Sequence, residues 1–346
     1  MSTAFGTLPE PRHPDPHDAP PLLWGVLAPG GIARDFTAAL HRHTAQRVIA
    51  VGSRSLDRAA AFAAEHGIER AYGSYEQLVA DPAVDVVYVA SPHSQHAEHA
   101  LLAIAAGKHV LIEKPMAADA AGARRIADAA RAAGVFAMEA MWTRYLPQSD
   151  ILRQLLDDGA FGEVRVVTAD FGGTVPFDPA SRLFDPALAG GALLDLGVYV
   201  VSWAHFALGR PQRVIAAGSL AGTGVDEQAS LVLGYTDGAQ ALLSTGLRAS
   251  TPSRATICGS AGRVETDSPF WAASGLRFVA PGGSPAVSWT DPYGRPHRQG
   301  MSYEAAALAR FVADGLTESP LHSLQDAVDT LETIDEARRQ LGAAGV

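Results

Sequence analysis

The sequence predicts a doubly wound α/β domain, a Rossmann parallel sheet, followed by an α+β domain with a large open, mostly antiparallel sheet. Three observations carry that expectation. Short apolar runs alternate with helix-period segments from Leu22 to Met138, the order that builds a parallel sheet with right-handed crossovers. After Trp142 several strand-like runs follow one another without helices between them, as in an antiparallel or mixed sheet. A chain of 346 residues also suits roughly two domains.

Leu22 to Leu27 is an apolar strand entering a Gly/Pro turn, and Ile32 to Leu40 is the helix after it. Arg47 to Val51 is a second strand, followed by an alanine-rich helix from Leu56 to His66. A short strand at Ala71-Tyr72 and a helix from Ser74 to Val79 come next. Val84 to Ala90 is a β-branched run of the kind buried on both faces of a parallel sheet. The helix Gln95 to Ala106, the strand His109 to Ile112, the helix Ala120 to Ala133 and the strand Val135 to Met138 complete the series.

Beyond Trp142, a helix (Ser149 to Leu156) precedes a strand (Val164 to Phe171) and a long Gly/Pro/Asp loop. Gly190-Gly191 introduces a helix over Ala192 to Leu208. Four strands follow at Arg213 to Ser219, Gln228 to Tyr235, Gln240 to Thr245 and Arg254 to Gly259, and helices at Tyr303 to Gly315 and Ser323 to Leu341 close the chain. The expected division is a disordered tail over 1–20, a dinucleotide domain over 21–142 and a substrate domain over 143–346. The closing helices are free to pack back on the first domain.

Composition narrows the function. A net charge of −10 and the lack of a dense basic cluster argue against a nucleic-acid surface. A lone Cys258 excludes an intramolecular disulfide and any cysteine-built zinc site. His93, His96 and His99 have a metal-like spacing, but Glu98 falls on another face, so no metal is expected. No run of about 18 consecutive apolar residues suggests a membrane span. The first twenty residues lack an apolar h-region and a twin arginine, so the cytoplasm is the expected location.

The turn after the first strand reads Gly25-Val26-Leu27-Ala28-Pro29-Gly30-Gly31-Ile32-Ala33. It resembles the dinucleotide fingerprint, with Ala28 in the first glycine position, Gly30 in the second and Ala33 in the third. Gly31 and Ile32 open the helix whose N-terminus would meet a pyrophosphate. The second strand ends in Ser53-Arg54, where NAD sites usually carry an acidic residue for the ribose hydroxyl and NADP sites an arginine for the 2′-phosphate. Arg54 therefore points to NADP. Ser91, Pro92, His93 and His96 follow the fourth strand, where a histidine either contacts the nicotinamide ribose or caps the helix.

Of the 27 basic residues only Lys108 and Lys114 are lysines. Lys114 ends the strand Val110-Leu111-Ile112-Glu113 and precedes Pro115, at the carboxyl end where α/β sheets bind ligands. A lysine ammonium, unlike a guanidinium, changes its protonation readily. Asp195 and Tyr199 lie four residues apart, one turn of a helix. A tyrosine with a pKa near 10 is a poor base unless a nearby ammonium favours the phenolate. Lys114 could supply that charge, with Tyr199 taking a substrate hydroxyl proton while hydride leaves for the nicotinamide. The alternative is a core tyrosine with its hydroxyl paired and Asp195 holding backbone.

From Leu22 onward the chain resembles the glucose–fructose oxidoreductase/inositol dehydrogenase/MocA family. The likeness rests on the glycine turn, Ser91-Pro92-His93-Ser94-Gln95-His96, Glu113-Lys114-Pro115 and Gly190-Gly191 with Asp195 and Tyr199. Within it the branch of the dimeric dihydrodiol dehydrogenases is most similar, through Ala71 to Glu76, Met138 to Arg144, Gly190 to Gly197 and Gly300 to Ala305. The resemblance implies NADP-dependent oxidation of trans-dihydrodiols, D-xylose and related sugars. It implies Lys114 and Tyr199 at the reacting centre, Glu113 beside the cofactor, and Asp195, Trp142 and Arg144 lining the substrate pocket. It also implies a homodimer or higher homo-oligomer formed through the open face of the second sheet. Thr174 to Pro186 and Phe270 to Arg298 match least well, which leaves open a sugar or glycoside oxidoreductase with another natural substrate, or a non-catalytic NADP-binding sensor.

Overall fold

The computed structural model describes residues 7–272, 275–284, 286–295 and 297–344. They form two compact units. One comprises Pro14–Tyr145 with His297–Val328, and the other comprises Met1–His13, Leu146–Pro296 and Asp329–Val346.

The first unit is a doubly wound sheet. Its strands are β1 (Leu23–Leu27), β2 (Arg47–Gly52), β3 (Arg70–Tyr72), β4 (Val86–Val89), β5 (His109–Glu113) and β6 (Ala137–Ala140). All pair in parallel, in the order β3-β2-β1-β4-β5-β6. The order reverses at β1, so the chain turns after β1, β2, β4 and β5 all face the carboxyl edge where a dinucleotide binds. The intervening helices are α1 (Gly31–His43), α2 (Leu56–His66), α3 (Tyr75–Val79), α4 (His96–Ala105) and α5 (Ala120–Ala133). Each strand–helix boundary has a local cause: Ser55, Ser74 and Asp119 accept backbone N–H bonds at the starts of α2, α3 and α5. Gly67 and Gly134 end α2 and α5 in the left-handed conformation.

The second unit is built on an eight-stranded sheet. Its helix α6 (Pro147–Asp157) precedes β7 (Val164–Gly172). A π-helical turn at Leu193–Gly197 runs straight into α7 (Val198–Leu208). Then come β8 (Arg213–Leu220), β9 (Asp226–Gly234), β10 (Gln240–Gly246), β11 (Ala255–Gly259), β12 (Gly262–Thr266), β13 (Gly275–Val279) and β14 (Ala286–Thr290). The order is β14-β13-β12-β11-β7-β10-β9-β8, antiparallel throughout except for the β7–β10 pair. Helix α7 packs on one face, against β7, β10 and β11. Along β10 the alternation is plain: Ala241 and Leu243 are buried while Leu242 is exposed.

Helix α8 (Met301–Ala313) belongs to the first unit, and the greater part of α9 (Leu324–Leu341) belongs to the second. The first break falls after Tyr145 and not after Trp142, and residues 297–328 group with the parallel sheet, as the freedom left to the closing helices allowed. Ala306 and Ala309 of α8 pack with Ala19 in a small cluster there.

Two further expectations are corrected. The loop expected over 270–298 contains β13 and β14, and β12 precedes it. These are five-residue strands bounded by Gly, Pro and Asp, and they become strands through their partners in the ladder. The tail expected to be disordered over 1–20 is ordered where it is described. Leu8 is buried, and Arg12 donates from its backbone and guanidinium to Asp150 of α6. In the other unit Asp15 caps a 3-10 turn over Pro16–Asp18. An extended proline-rich segment needs few backbone partners, and a forked guanidinium on a carboxylate holds it well.

The segment Pro186–Leu208 is long and apolar enough, by composition, to cross a membrane. However, 83% of its most apolar window is buried inside the fold, as expected of a core helix.

Candidate active site

The turn after β1 has the form a dinucleotide needs. Ala28 takes a left-handed φ of 69°, the conformation that usually calls for glycine at this position, and its N–H donates to Gly52 O at 3.0 Å. A Cβ built on Gly30 or on Gly31 would meet nothing within 4 Å, so ligand atoms can approach the backbone closely there. Gly30 caps α1 without a side-chain bond, which leaves the N–H groups of the first turn with no side-chain acceptor from the cap. Ile32 stands in that turn.

At the end of β2, Ser53 is buried and its hydroxyl accepts from Ser55 N, which shapes the turn and leaves Arg54 exposed. The Arg54 charge reaches His99, whose pKa burial lowers. An exposed guanidinium at this edge is free to meet a ribose phosphate.

His93 is buried, and its ring lies 5.7 Å from that of His96. His96 is only 1% exposed, and both its ring nitrogens lie 2.7 Å from carbonyl oxygens, those of Ser91 and Pro115. Burial pulls its pKa down to about 4. His96 thus ties the β4 loop to the β5 loop. Buried beside it, the Ser91 hydroxyl has no partner among the described residues.

Lys114 is half-buried at the end of β5, and its positive charge bears on both His96 and Glu113. The Glu113 carboxylate is buried and accepts a bond from Tyr88 OH. Burial raises its pKa. The chain beyond Lys114 is gripped again where Met116 N donates to Glu139 Oε1 at 2.7 Å. Glu139 is held in turn by His322 Nε2 at 2.7 Å. Glu304 of α8 completes an acidic interior. It is fully buried, and burial followed by the charges of Glu113 and Glu139 drives its pKa well up. Trp142 and Arg144 lie buried in a 3-10 turn after β6.

In the second unit Asp195 sits in the π-helical turn and pairs with Arg182 Nη1 at 3.1 Å. A π-turn widens a helix locally and is frequent at functional sites. The expected regular helix over 192–208 gave no sign of it. Tyr199 stands in the first turn of α7 beside an aromatic wall. Phe171 lies edge-on to it with centroids 5.7 Å apart, and Trp271 stacks on Phe171 at 5.3 Å. These rings set an apolar face beside Tyr199. Phe171 and Trp271 were not singled out from the sequence. A strand-end Phe and a Trp inside a poorly matching loop carry no local signal.

Comparison with known proteins agrees with this architecture. The model of an oxidoreductase family with an NAD-binding Rossmann fold matches residues 22–141, and the GFO/IDH/MocA C-terminal domain matches residues 150–265. The chain is 38% identical to trans-1,2-dihydrobenzene-1,2-diol dehydrogenase of Xenopus tropicalis, over 92% of this chain and 98% of that one. To the Homo sapiens protein of the same name it is 36% identical, over 93% and 97%. Among solved structures, a 3-ketoreductase from Actinomadura kijaniata, held with NADP and TDP-benzene, superposes with a TM-score of 0.78 at 29% identity. That match covers 93% of this chain and 98% of that one. With both halves matched and full-length relatives well above 30% identity, this chain belongs to the GFO/IDH/MocA oxidoreductase family.

Proposed function

We propose that this protein is an NADP-dependent dehydrogenase that oxidises a secondary hydroxyl of a cyclic vicinal diol, either a trans-dihydrodiol or a cyclic sugar. Its membership of an NAD(P)-dependent oxidoreductase family, with diol dehydrogenases as full-length relatives, supports the class. The observation that carries the reading is the open cradle at Gly30 and Gly31 over an uncapped helix, with Arg54 exposed at the next strand end. The cradle fits a pyrophosphate, and Arg54 favours NADP over NAD.

Bound NADP supplies the hydride acceptor. The chain's own residues manage the rest. Ala28, Gly30, Gly31 and Ile32 hold the diphosphate, Ser53 and Arg54 the adenosine ribose phosphate, and Ser91, Pro92 and His93 the loop beside the nicotinamide. In this reading Tyr199 takes the proton from the substrate hydroxyl, and Lys114 at the end of β5 supplies the ammonium that the reaction needs. Asp195 holds the neighbouring hydroxyl, as a carboxylate does for a diol. Trp142 and Arg144 line the pocket. A homodimer is supported by the open sheet face. Ile215 of β8, Val232 of β9 and Leu242 of β10 are in register and all exposed, together with Val166. A row of aliphatic side chains on an uncovered face marks an interface. We place the protein in the cytoplasm.

The test is absorbance at the reduced-nicotinamide band with NADP and then NAD, across D-xylose, D-glucose, inositol and a trans-dihydrodiol. Turnover with NADP on a cyclic diol is the expected result. NADP binding by calorimetry without turnover on any of them would replace the enzyme by a cofactor-binding sensor.

A further inference from the structure

We propose that Asp226 is a positioning residue for the redox reaction: from the first place in β9 it caps the turn that carries Asp195 and Tyr199, and so sets where those two side chains stand. The proposal rests on the roles given above to Asp195 and Tyr199.

A buried helix start must find acceptors for its first N–H groups. The local sequence Gly190-Gly191-Ala192 offers no side-chain acceptor, and Ala192 makes no side-chain cap. Asp226 supplies the acceptor from elsewhere in the sheet. It is 0% exposed, and its Oδ2 accepts from Leu193 N at 2.6 Å, with Ala192 N also directed to it. Its other oxygen, Oδ1, has no partner among the described residues.

The glycines fit this arrangement closely. Gly191 has φ of 115°, and a Cβ on it would overlap Asp226 Oδ1. A Cβ on Gly190 would stand 2.7 Å from Leu183 O. The double glycine thus lets the backbone settle onto the carboxylate. Asp195 N bonds Gly191 O at 3.3 Å, so the capped turn is the one that bears Asp195, and Tyr199 follows one turn later. A negative charge here also opposes the positive end of the helix.

Burial raises the Asp226 pKa to about 6, opposed by Arg338 of α9. Two other acids are engaged elsewhere: Glu227, next in sequence, lies 3.5 Å from Arg248, and Asp195 of the capped turn pairs with Arg182. The cap is therefore anionic at neutral pH and neutralised by mild acid.

The experiment compares full-length wild type, Asp226→Asn, Gly191→Ala and Tyr199→Phe. Steady-state rates are measured from pH 5 to 9 at saturating NADP, and NADP affinity by fluorescence titration. We expect Asp226→Asn to lower kcat by about ten- to a hundredfold, the scale of a misplacement near 1 Å. NADP affinity stays unchanged, and the acid limb of the kcat profile near pH 6 disappears. Gly191→Ala gives the same split. Wild-type kcat and pH profile in Asp226→Asn, alongside an inactive Tyr199→Phe, overturn the positioning role even if the variant melts early. An active Tyr199→Phe overturns the assignment of the base instead. Should the amide variant not fold, Asp226→Ser keeps a small neutral acceptor and carries the same comparison.

Discussion

Glu304→Gln tests whether the acidic interior of the dinucleotide unit holds a proton. Glu304 is fully buried, neither carboxylate oxygen has a partner among the described residues, and Glu113 and Glu139 bear on it with like charge. Its folded-state pKa therefore lies well above the unfolded value of about 4.3. The sign follows from linkage. A raised pKa contributes stability that is fully present below the unfolded pKa and is lost as pH rises toward the folded one. Between the two values the folded protein carries one more proton than the unfolded chain, so stability falls by about 1.4 kcal/mol per pH unit from this group alone. The loss continues until the pH reaches the folded-state value, and each unit of it is a sizeable share of a typical total of about 5–15 kcal/mol. Glutamine keeps the shape and is always neutral. Urea unfolding of both proteins, followed by circular dichroism at several pH values, reads the difference. At a pH of about 4.3 and below, where the carboxyl is protonated in both states, the variant should lie within about 1 kcal/mol of wild type. With rising pH it should gain on wild type at the slope above. A difference that does not grow as the pH rises above about 4.3 would refute the reasoning, because it would mean that Glu304 binds no extra proton in the fold.

Other expectations concern function. Lys114→Met should lower kcat by about a hundred- to ten-thousandfold, the usual worth of assisted proton transfer, with NADP affinity preserved in a fluorescence titration. Arg54→Asp should weaken NADP by at least about tenfold, the loss of one charge-assisted bond, while NAD binding holds or improves; an unaltered NADP-to-NAD ratio would show that Arg54 does not read the phosphate. Leu242→Asp places a charge in the exposed row on the second sheet. Sedimentation should then show a monomer where wild type is a dimer, with no loss of helical signal.

What the sequence determined by itself was local. Apolar runs of β-branched residues ending in Gly, Ser-Pro or Lys-Pro placed β1, β2, β4 and β5 and the turns after them, because a buried parallel strand must be continuously apolar and its turn must break it. That fixed the positions of Gly30, Arg54 and Lys114 at strand ends. The four-residue spacing of Asp195 and Tyr199 was legible for the same reason. The tertiary structure decided what depends on partners far along the chain. Asp226 lies 33 residues from the Leu193 N–H it accepts, and no local pattern distinguishes an acid that caps a distant turn from one that is merely solvated. The sequence left His96 open between a cofactor contact and a helix cap; only the fold places its two ring nitrogens against carbonyl oxygens of neighbouring loops. Strands β12 to β14 exist through their ladders, and α8 groups with the parallel sheet although 161 positions separate its start from the end of β6. Periodicity reports how a segment divides its own faces, whereas burial of a charge or the choice of a packing partner depends on the whole fold.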